Sequence, residues 1–142
     1  MGKWKKHILW IVMLNFFQHL MLFGQSTKID SLKKVLLTAK DDTNKVNALN
    51  TLGALLFYNN ADTTLLLANE GLVLSKKIKS KKHCANSFHL MAVAYHIKGD
   101  YSLSIENNLQ ALALRDELRD KLGAAKSLGN IGSAYREQAD YY

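Results

Sequence analysis

The sequence has no proline and one cysteine, and each scarcity excludes something. Without proline, nothing forbids long unbroken helices, and a loop-rich all-β fold is disfavoured. A single cysteine, Cys84, rules out an internal disulfide framework and any cysteine-cluster zinc site. Acidic residues are missing from the first 25 positions. What remains is a chain of 142 residues, 48% hydrophobic and 22% charged, which is globular rather than disordered composition.

The acid-free start has the order of an export signal. Lys3, Lys5 and Lys6 precede an apolar block from Ile8 to Phe23, and Gly24-Gln25-Ser26 follows. These are the basic, apolar and small/polar regions of a secretory signal, so residues 1–25 read as a signal peptide. The protein is therefore expected in the periplasm or cell envelope. A retained N-terminal anchor is the alternative, but Asn15, Gln18 and His19 interrupt the block after Leu14, and a stable span wants about 20 mostly apolar residues. Losing the three lysines takes the formal charge from +7 to +4. The basic concentration left is Lys76, Lys77, Lys79, Lys81 and Lys82, with no aromatic interleaved for base stacking. It reads as a solvated helix end and loop, not as a nucleic-acid groove.

A shift of forty residues brings the chain onto itself. Ala85, Ser87, Ala94, Tyr95, Asp100 and Tyr101 fall on Ala125, Ser127, Ala134, Tyr135, Asp140 and Tyr141, six identities in nineteen aligned positions. A weaker third copy lies upstream, where Gly53 corresponds to Ala92 and Gly132. Each copy reads as two helices. In the middle copy Phe88, Ala92 and Tyr95 recur at helical spacing, as do Ile105, Leu109 and Leu112. Lys98-Gly99-Asp100 separates them, with glycine for a left-handed helix end and aspartate as the next cap. In the first copy the turn is Asn59-Asn60-Ala61-Asp62, with Asp62 as the expected cap and Leu65, Ala68, Leu72 and Ser75 on one face of the helix after it. A leading helix uses Ile29, Leu32 and Leu36 within 26–42. Six helices are thus expected after the signal, the last barely begun. The small residues Gly53, Ala92 and Gly132, with Gly71 and Ala111 in the second helices, are expected where helices approach closely. One such pair cannot bury its apolar stripe alone, but stacked pairs can.

Ala92-Val93-Ala94-Tyr95 through Gly99-Asp100-Tyr101 to Gln110-Ala111-Leu112 resembles the tetratricopeptide repeat, and Ile131-Gly132-Ser133-Ala134-Tyr135 with Ala139-Asp140-Tyr141 repeats its first half. The resemblance covers about 43–142, as repeats 43–81, 82–120 and an incomplete 121–142. It implies an all-α, right-handed solenoid of antiparallel helix pairs with a period of about forty, longer than the family's usual form and without its terminal proline. A narrower resemblance starts at Asp30-Ser31-Leu32 and continues through Thr38–Asn50 to Ala61-Asp62-Thr63-Thr64 and Ala68-Asn69-Glu70. That order is similar to the N-terminal sensing region of exported tetratricopeptide proteins that continue into a membrane helix and a histidine kinase or DNA-binding domain.

No motif points to catalysis. His7, His19, His83, His89 and His96 contain no pair one helical turn apart, as a helical metal site needs. His89 and His96 are expected on the inner surface of the solenoid. Cys84 falls opposite Ala124 and reads as a small buried hydrophobe. Gly129-Asn130-Ile131-Gly132 lacks the order of a phosphate loop, and Asp41-Asp42 and Asp116-Glu117 have no paired base or nucleophile. No cofactor is implied, which leaves binding. The family's first helices line a concave groove for a protein or peptide. By register this implies Asn50, Phe57 and Tyr58 in the first copy, Asn86, His89, Val93 and His96 in the second, and Lys126, Ser133, Arg136 and Glu137 in the third. Of the family's clamp for a terminal carboxylate, only Lys126 and Asn130 have a counterpart.

The last copy stops before its second helix, so a truncated or continuing reading frame is expected, with Ile131, Ala134 and Tyr135 partly uncovered. Membrane contact is expected only through the N-terminal segment or a region beyond Tyr142. Residues 1–25 fused to a phosphatase reporter that folds only outside the cytoplasm should yield an active reporter. Activity no higher than an unfused control would remove the export reading.

Overall fold

The computed structural model describes Gly24 and residues 26–139. Apart from Gly24, the expected signal peptide lies outside the described residues, as do the repeat residues Asp140 and Tyr141. Every described element is a helix: α1 (26–38), α2 (Thr43–Leu56), α3 (Ala61–Lys77), α4 (Lys81–Ile97), α5 (Tyr101–Glu117) and α6 (Lys121–Ala139). Far from barely begun, α6 is the longest of those from α2 onward, at 19 residues. In α1 the expected stripe of Ile29, Leu32 and Leu36 is half-buried, between exposed neighbours.

The turns explain where the helices end. Lys79, Gly99 and Arg119 adopt left-handed backbone, with φ of 55°, 79° and 56°. After each, an amide reaches back across the helix end: Ser80 to the Ser75 carbonyl, Asp100 to Tyr95 and Asp120 to Arg115, each at 2.9 Å. This is the Schellman closure, which satisfies carbonyls that the last turn leaves free. Only Gly99 adopts that conformation without a steric cost; Lys79 and Arg119 each cost roughly 1 kcal/mol. The starts are capped unevenly. Asp42 accepts from the Asn44 and Lys45 amides, and Asp120 accepts from Gly123. At α3 the cap is Asn60, which accepts from Thr63 at 2.9 Å, rather than the expected Asp62. Asp62 stands inside the first turn and pairs with Lys98. Asp100 occupies the cap position of α5, but its side chain makes no capping bond.

Successive helices pack against each other from α2 to α6, and α2 also touches α4 while α4 touches α6. Thus α2, α4 and α6 lie side by side, with α3 and α5 each backing two of them. Long-range bonds recur forty residues apart. Lys77 donates to Asp41 (2.8 Å) and Lys81 to Glu117 (2.6 Å) at equivalent places, and Lys98–Asp62 corresponds to Gln138–Ser102. The repeat read from residue identities is therefore also a repeat of contacts.

The core of the first pair is mostly apolar, with Val46, Leu49 and Leu52 of α2 and Ala68, Leu72 and Leu74 of α3, and Thr64 and Ser75 of α3 are buried among them. Ala92, Ala94, Ala111 and Ala134 are wholly buried, which lets the helix backbones come close. Gly53 serves the same end, since a Cβ there would stand 2.7 Å from Leu90 Cδ2. Gly132 does not, because it is exposed and nothing lies within 4 Å of its missing Cβ. Ala134 is buried rather than uncovered, while Tyr135, Leu122 and Leu128 face outward.

In α5 the expected stripe of Ile105, Leu109 and Leu112 is only partly correct. Leu109 is exposed, and the buried face is instead Ser104, Ile105, Asn107, Asn108, Ala111 and Arg115. Arg115 is 5% exposed; its Nη1 donates to the Gly123 carbonyl (2.9 Å) and to Ser127 Oγ (2.7 Å). Burial lowers its proton affinity, against the pull of the Asp120 carboxylate. The Asp120 carboxylate and the Arg115 side chain fill the space beside Gly123, where a Cβ would meet Asp120 Oδ2 first and stand 2.8 Å from Arg115 Cδ and Nε. Gly123→Ala should therefore destabilise the protein by about 1–3 kcal/mol, because the capping Asp120 carboxylate and the buried arginine must both shift to make room. Gly129→Ala, in the same helix with open space around it, should stabilise by about 1 kcal/mol. Urea unfolding of the two variants checks the contrast, and equal effects would refute the close packing of Asp120 and Arg115 on Gly123.

Candidate functional site

Because α2, α4 and α6 lie side by side, the residues expected to line a groove are spread across neighbouring helices. The structure brings one group of them together. His96 Nε2 on α4 is 3.3 Å from Glu137 Oε1 on α6. The Ser133 hydroxyl donates to the same carboxylate oxygen at 3.3 Å, and Arg136 Nη2 reaches Ser133 Oγ at 3.4 Å. His96 also meets Tyr101 edge to face, with ring centroids 5.5 Å apart. Val93 is half-buried beside them, and Lys126 and Asn86 are exposed. Phe57 and Tyr58 form a separate feature at the end of α2, where their rings lie 4.2 Å apart and Tyr58 projects into solvent.

Two expected surface residues are half-buried and engaged between helices. Asn50 is a wedge between helices: its Oδ1 accepts from Ser87 Oγ on α4 at 3.1 Å and lies 3.0 Å from where a Cβ on Gly71 of α3 would stand. His89 is half-buried beside Asn108, but its Nδ1 makes no hydrogen bond of good geometry. Burial lowers its proton affinity, and the Arg115 and Lys126 cations add to that, although Asn108 opposes it. The one-copy register put His89 on the inner surface; the polar α5 behind α4 gives the imidazole a buried polar place to sit.

Tyr95 is half-buried, and Gly99 closes the α4–α5 turn with Asp100 and Tyr101 after it. Cys84 is buried, and burial pushes its thiol pKa up, so it behaves as packing rather than as a nucleophile. Among the basic residues at the α3–α4 turn, Lys77 and Lys81 are engaged by Asp41 and Glu117, and Lys76 lies 5.9 Å over the Phe88 ring. Among the described residues no group of three histidine, cysteine or acidic side chains is placed to hold a metal ion. No described helix is long and apolar enough to cross a membrane.

Reading the repeat for its shared residues passed over Ser104, Asn108 and Arg115. With Val93, His96, Asn130 and Ser133, the first two line a cavity of about 120 Å³ between α4, α5 and α6. A signal for the missed residues was present in the differences between copies. Forty residues upstream, Asn108 corresponds to Ala68 and Arg115 to Ser75, so a small residue of the first copy is a large polar one in the second.

Compared with known proteins, the chain matches no protein-family model, and no curated protein is significantly similar to it.

The buried imidazoles make stability depend on pH. His89 and His83 both hold protons less tightly than an ordinary histidine of pKa 6.5, mainly through burial. The unfolded chain then binds more protons than the folded one once pH drops below about 6.5, and stability falls from there downward. Above that value both states carry neutral imidazoles and the contribution is complete. Urea midpoints should decline between pH 7.5 and 5.5, and His89→Gln should make that decline shallower. An unchanged slope would show that His89 is not held neutral by its surroundings.

Proposed function

We propose that the chain is an exported tetratricopeptide-repeat scaffold, a right-handed solenoid that binds an extended peptide or protein segment along α2, α4 and α6 and catalyses no reaction. The observation that carries this reading is the cluster of His96, Ser133, Arg136 and Glu137, where α4 and α6 place a cation, a carboxylate and a hydroxyl side by side. Such mixed donors and acceptors suit a peptide backbone and its polar side chains, while exposed Tyr58 supplies an aromatic contact at the end of α2. The contacts that recur at forty residues support the stacked-repeat part of the proposal. The second reading is that this is the sensory front of a membrane-bound kinase or transcription regulator, in which the same groove is the input site. It is favoured by the order of residues from Asp30 to Glu70.

Selection from a displayed peptide library against residues 26–142 should enrich sequences whose binding weakens about tenfold in His96→Ala and Arg136→Ala, the effect of losing one well-placed polar contact. Enriched peptides that bind both variants as tightly as the parent would place the site elsewhere. No enrichment at all would count against peptide binding.

A further inference from the structure

The cavity between α4, α5 and α6 combines enclosure with unmet hydrogen-bonding capacity. Asn108 is 0% exposed and Ser104 1%, yet neither Asn108 Oδ1 nor Ser104 Oγ makes a hydrogen bond of good geometry within the protein, even with the His89 imidazole beside Asn108. The amide nitrogen of Asn108 is already committed to the Ser104 carbonyl at 3.1 Å, so what Asn108 still offers is its oxygen. Buried polar atoms are rarely left in this state, because leaving one unpaired costs more than the bond would contribute. Two such atoms beside one small cavity, on neighbouring turns of α5, ask for a group that donates to both.

The size and charge of the cavity narrow that group. At about 120 Å³ it has room for roughly four waters, or for a group of four to five non-hydrogen atoms. Neither a carboxylate nor an ammonium lines it. Arg115 and Lys126 are near enough to act on the adjacent His89, which disfavours a cation, and Glu137 at the rim with His96 and Ser133 disfavours an anion. We propose that the cavity binds a neutral primary carboxamide. Its NH2 group donates one hydrogen to Asn108 Oδ1 and the other to Ser104 Oγ, and its carbonyl oxygen accepts from the side-chain amide of Asn130. Hydroxyl groups and ketones present at most one donor, and a carboxylate presents none.

Two sources share this chemistry: a free small amide, or the glutamine side chain of a peptide lying on α4 and α6. Only the second rests on the groove reading given above. The test uses 15N-labelled residues 26–142 and follows the Asn108 side-chain and Ser104 amide resonances. Propionamide should shift them saturably, whereas butanone and propionate, of the same size without the NH2 group, should not. Asn108→Leu should abolish the shift while raising Tm, since an apolar side chain replaces an unsatisfied buried one. Ser104→Ala should weaken binding about tenfold and serves if Asn108→Leu does not fold. An acetyl-Ala-Gln-Ala N-methylamide that binds at least about tenfold tighter than propionamide assigns the carboxamide to a peptide. Equal or weaker binding assigns it to a free amide and leaves the cavity proposal standing if the groove reading falls. Equal responses to propionamide and butanone, no saturable response to propionamide or the glutamine peptide, or a response retained in Asn108→Leu would each overturn the proposal and leave a cavity filled by water.

Discussion

The left-handed turns at Lys79, Gly99 and Arg119 are the constraint on which the rest of the architecture depends. They stand twenty residues apart, and the helices they bound, α3, α4 and α5, are each 17 residues long. At 1.5 Å per residue each helix is about 25 Å long, so the start of one comes level with the end of the next. That phase is why Asp41 meets Lys77 and Lys81 meets Glu117 across the same separation in sequence, with the signs of charge exchanged. These exposed pairs report the phase more than they stabilise it, because solvent screens them. What holds the layers together is the apolar contact of Val46, Leu49, Leu52 and Leu72, together with wholly buried alanines that let neighbouring helices approach.

The turns also show why the fold was largely legible in the sequence. Gly99 and the small residues Gly53, Ala92 and Ala111 are chemically suited to their places, so composition alone points at them. Lys79 and Arg119 adopt the same backbone as Gly99 without any side-chain signal, and only their distance of twenty residues from Gly99 marks them. Likewise Asn60 and Asp62 are both good caps by residue type. The choice between them rests on where the turn after Leu56 closes, where the Asn59 and Asn60 amides both reach the Leu56 carbonyl. Gly132 shows the opposite error, since it matches Ala92 in register but lies on a face of α6 that no described helix covers.

The candidate site was less legible, because a repeat is recognised by what its copies share whereas a site is made by what they do not. His96, Arg136 and the neighbouring Glu137 could be placed by register, since they project from helix positions that the copies use alike. Asn50 and His89 could not, because their burial depends on what stands behind them: Gly71 and Ser87 for Asn50, and the polar face of α5 for His89. Periodicity assigns the inside of a helix by finding apolar residues, so in α5 it finds Ile105 and Ala111 but adds exposed Leu109 and passes over buried Ser104, Asn108 and Arg115.

The polar part of that face is the most consequential departure from an idealised repeat. Where α3 buries Ala68 and Ser75, α5 buries Asn108 and Arg115, and the second sits on the backbone of Gly123 at the first turn of α6. Each substitution exchanges apolar or small-residue contact for hydrogen bonds that must all be made to break even, and Asn108 Oδ1, Ser104 Oγ and Arg115 Nε are not met within the protein. The first pair buries polar side chains too, Thr64 and Ser75, but these are small and their hydroxyls donate to backbone carbonyls. Departures from local consistency in an otherwise consistent fold tend to mark the places where a protein gives up stability for something else. Apart from Asn50 Nδ2 on α2, the unmet atoms lie on α4 and α5, near where His96 and Glu137 join neighbouring helices. The buried Ser104 and Asn108 and the half-buried His96 and Ser133 line one and the same cavity, so a ligand held there would touch both.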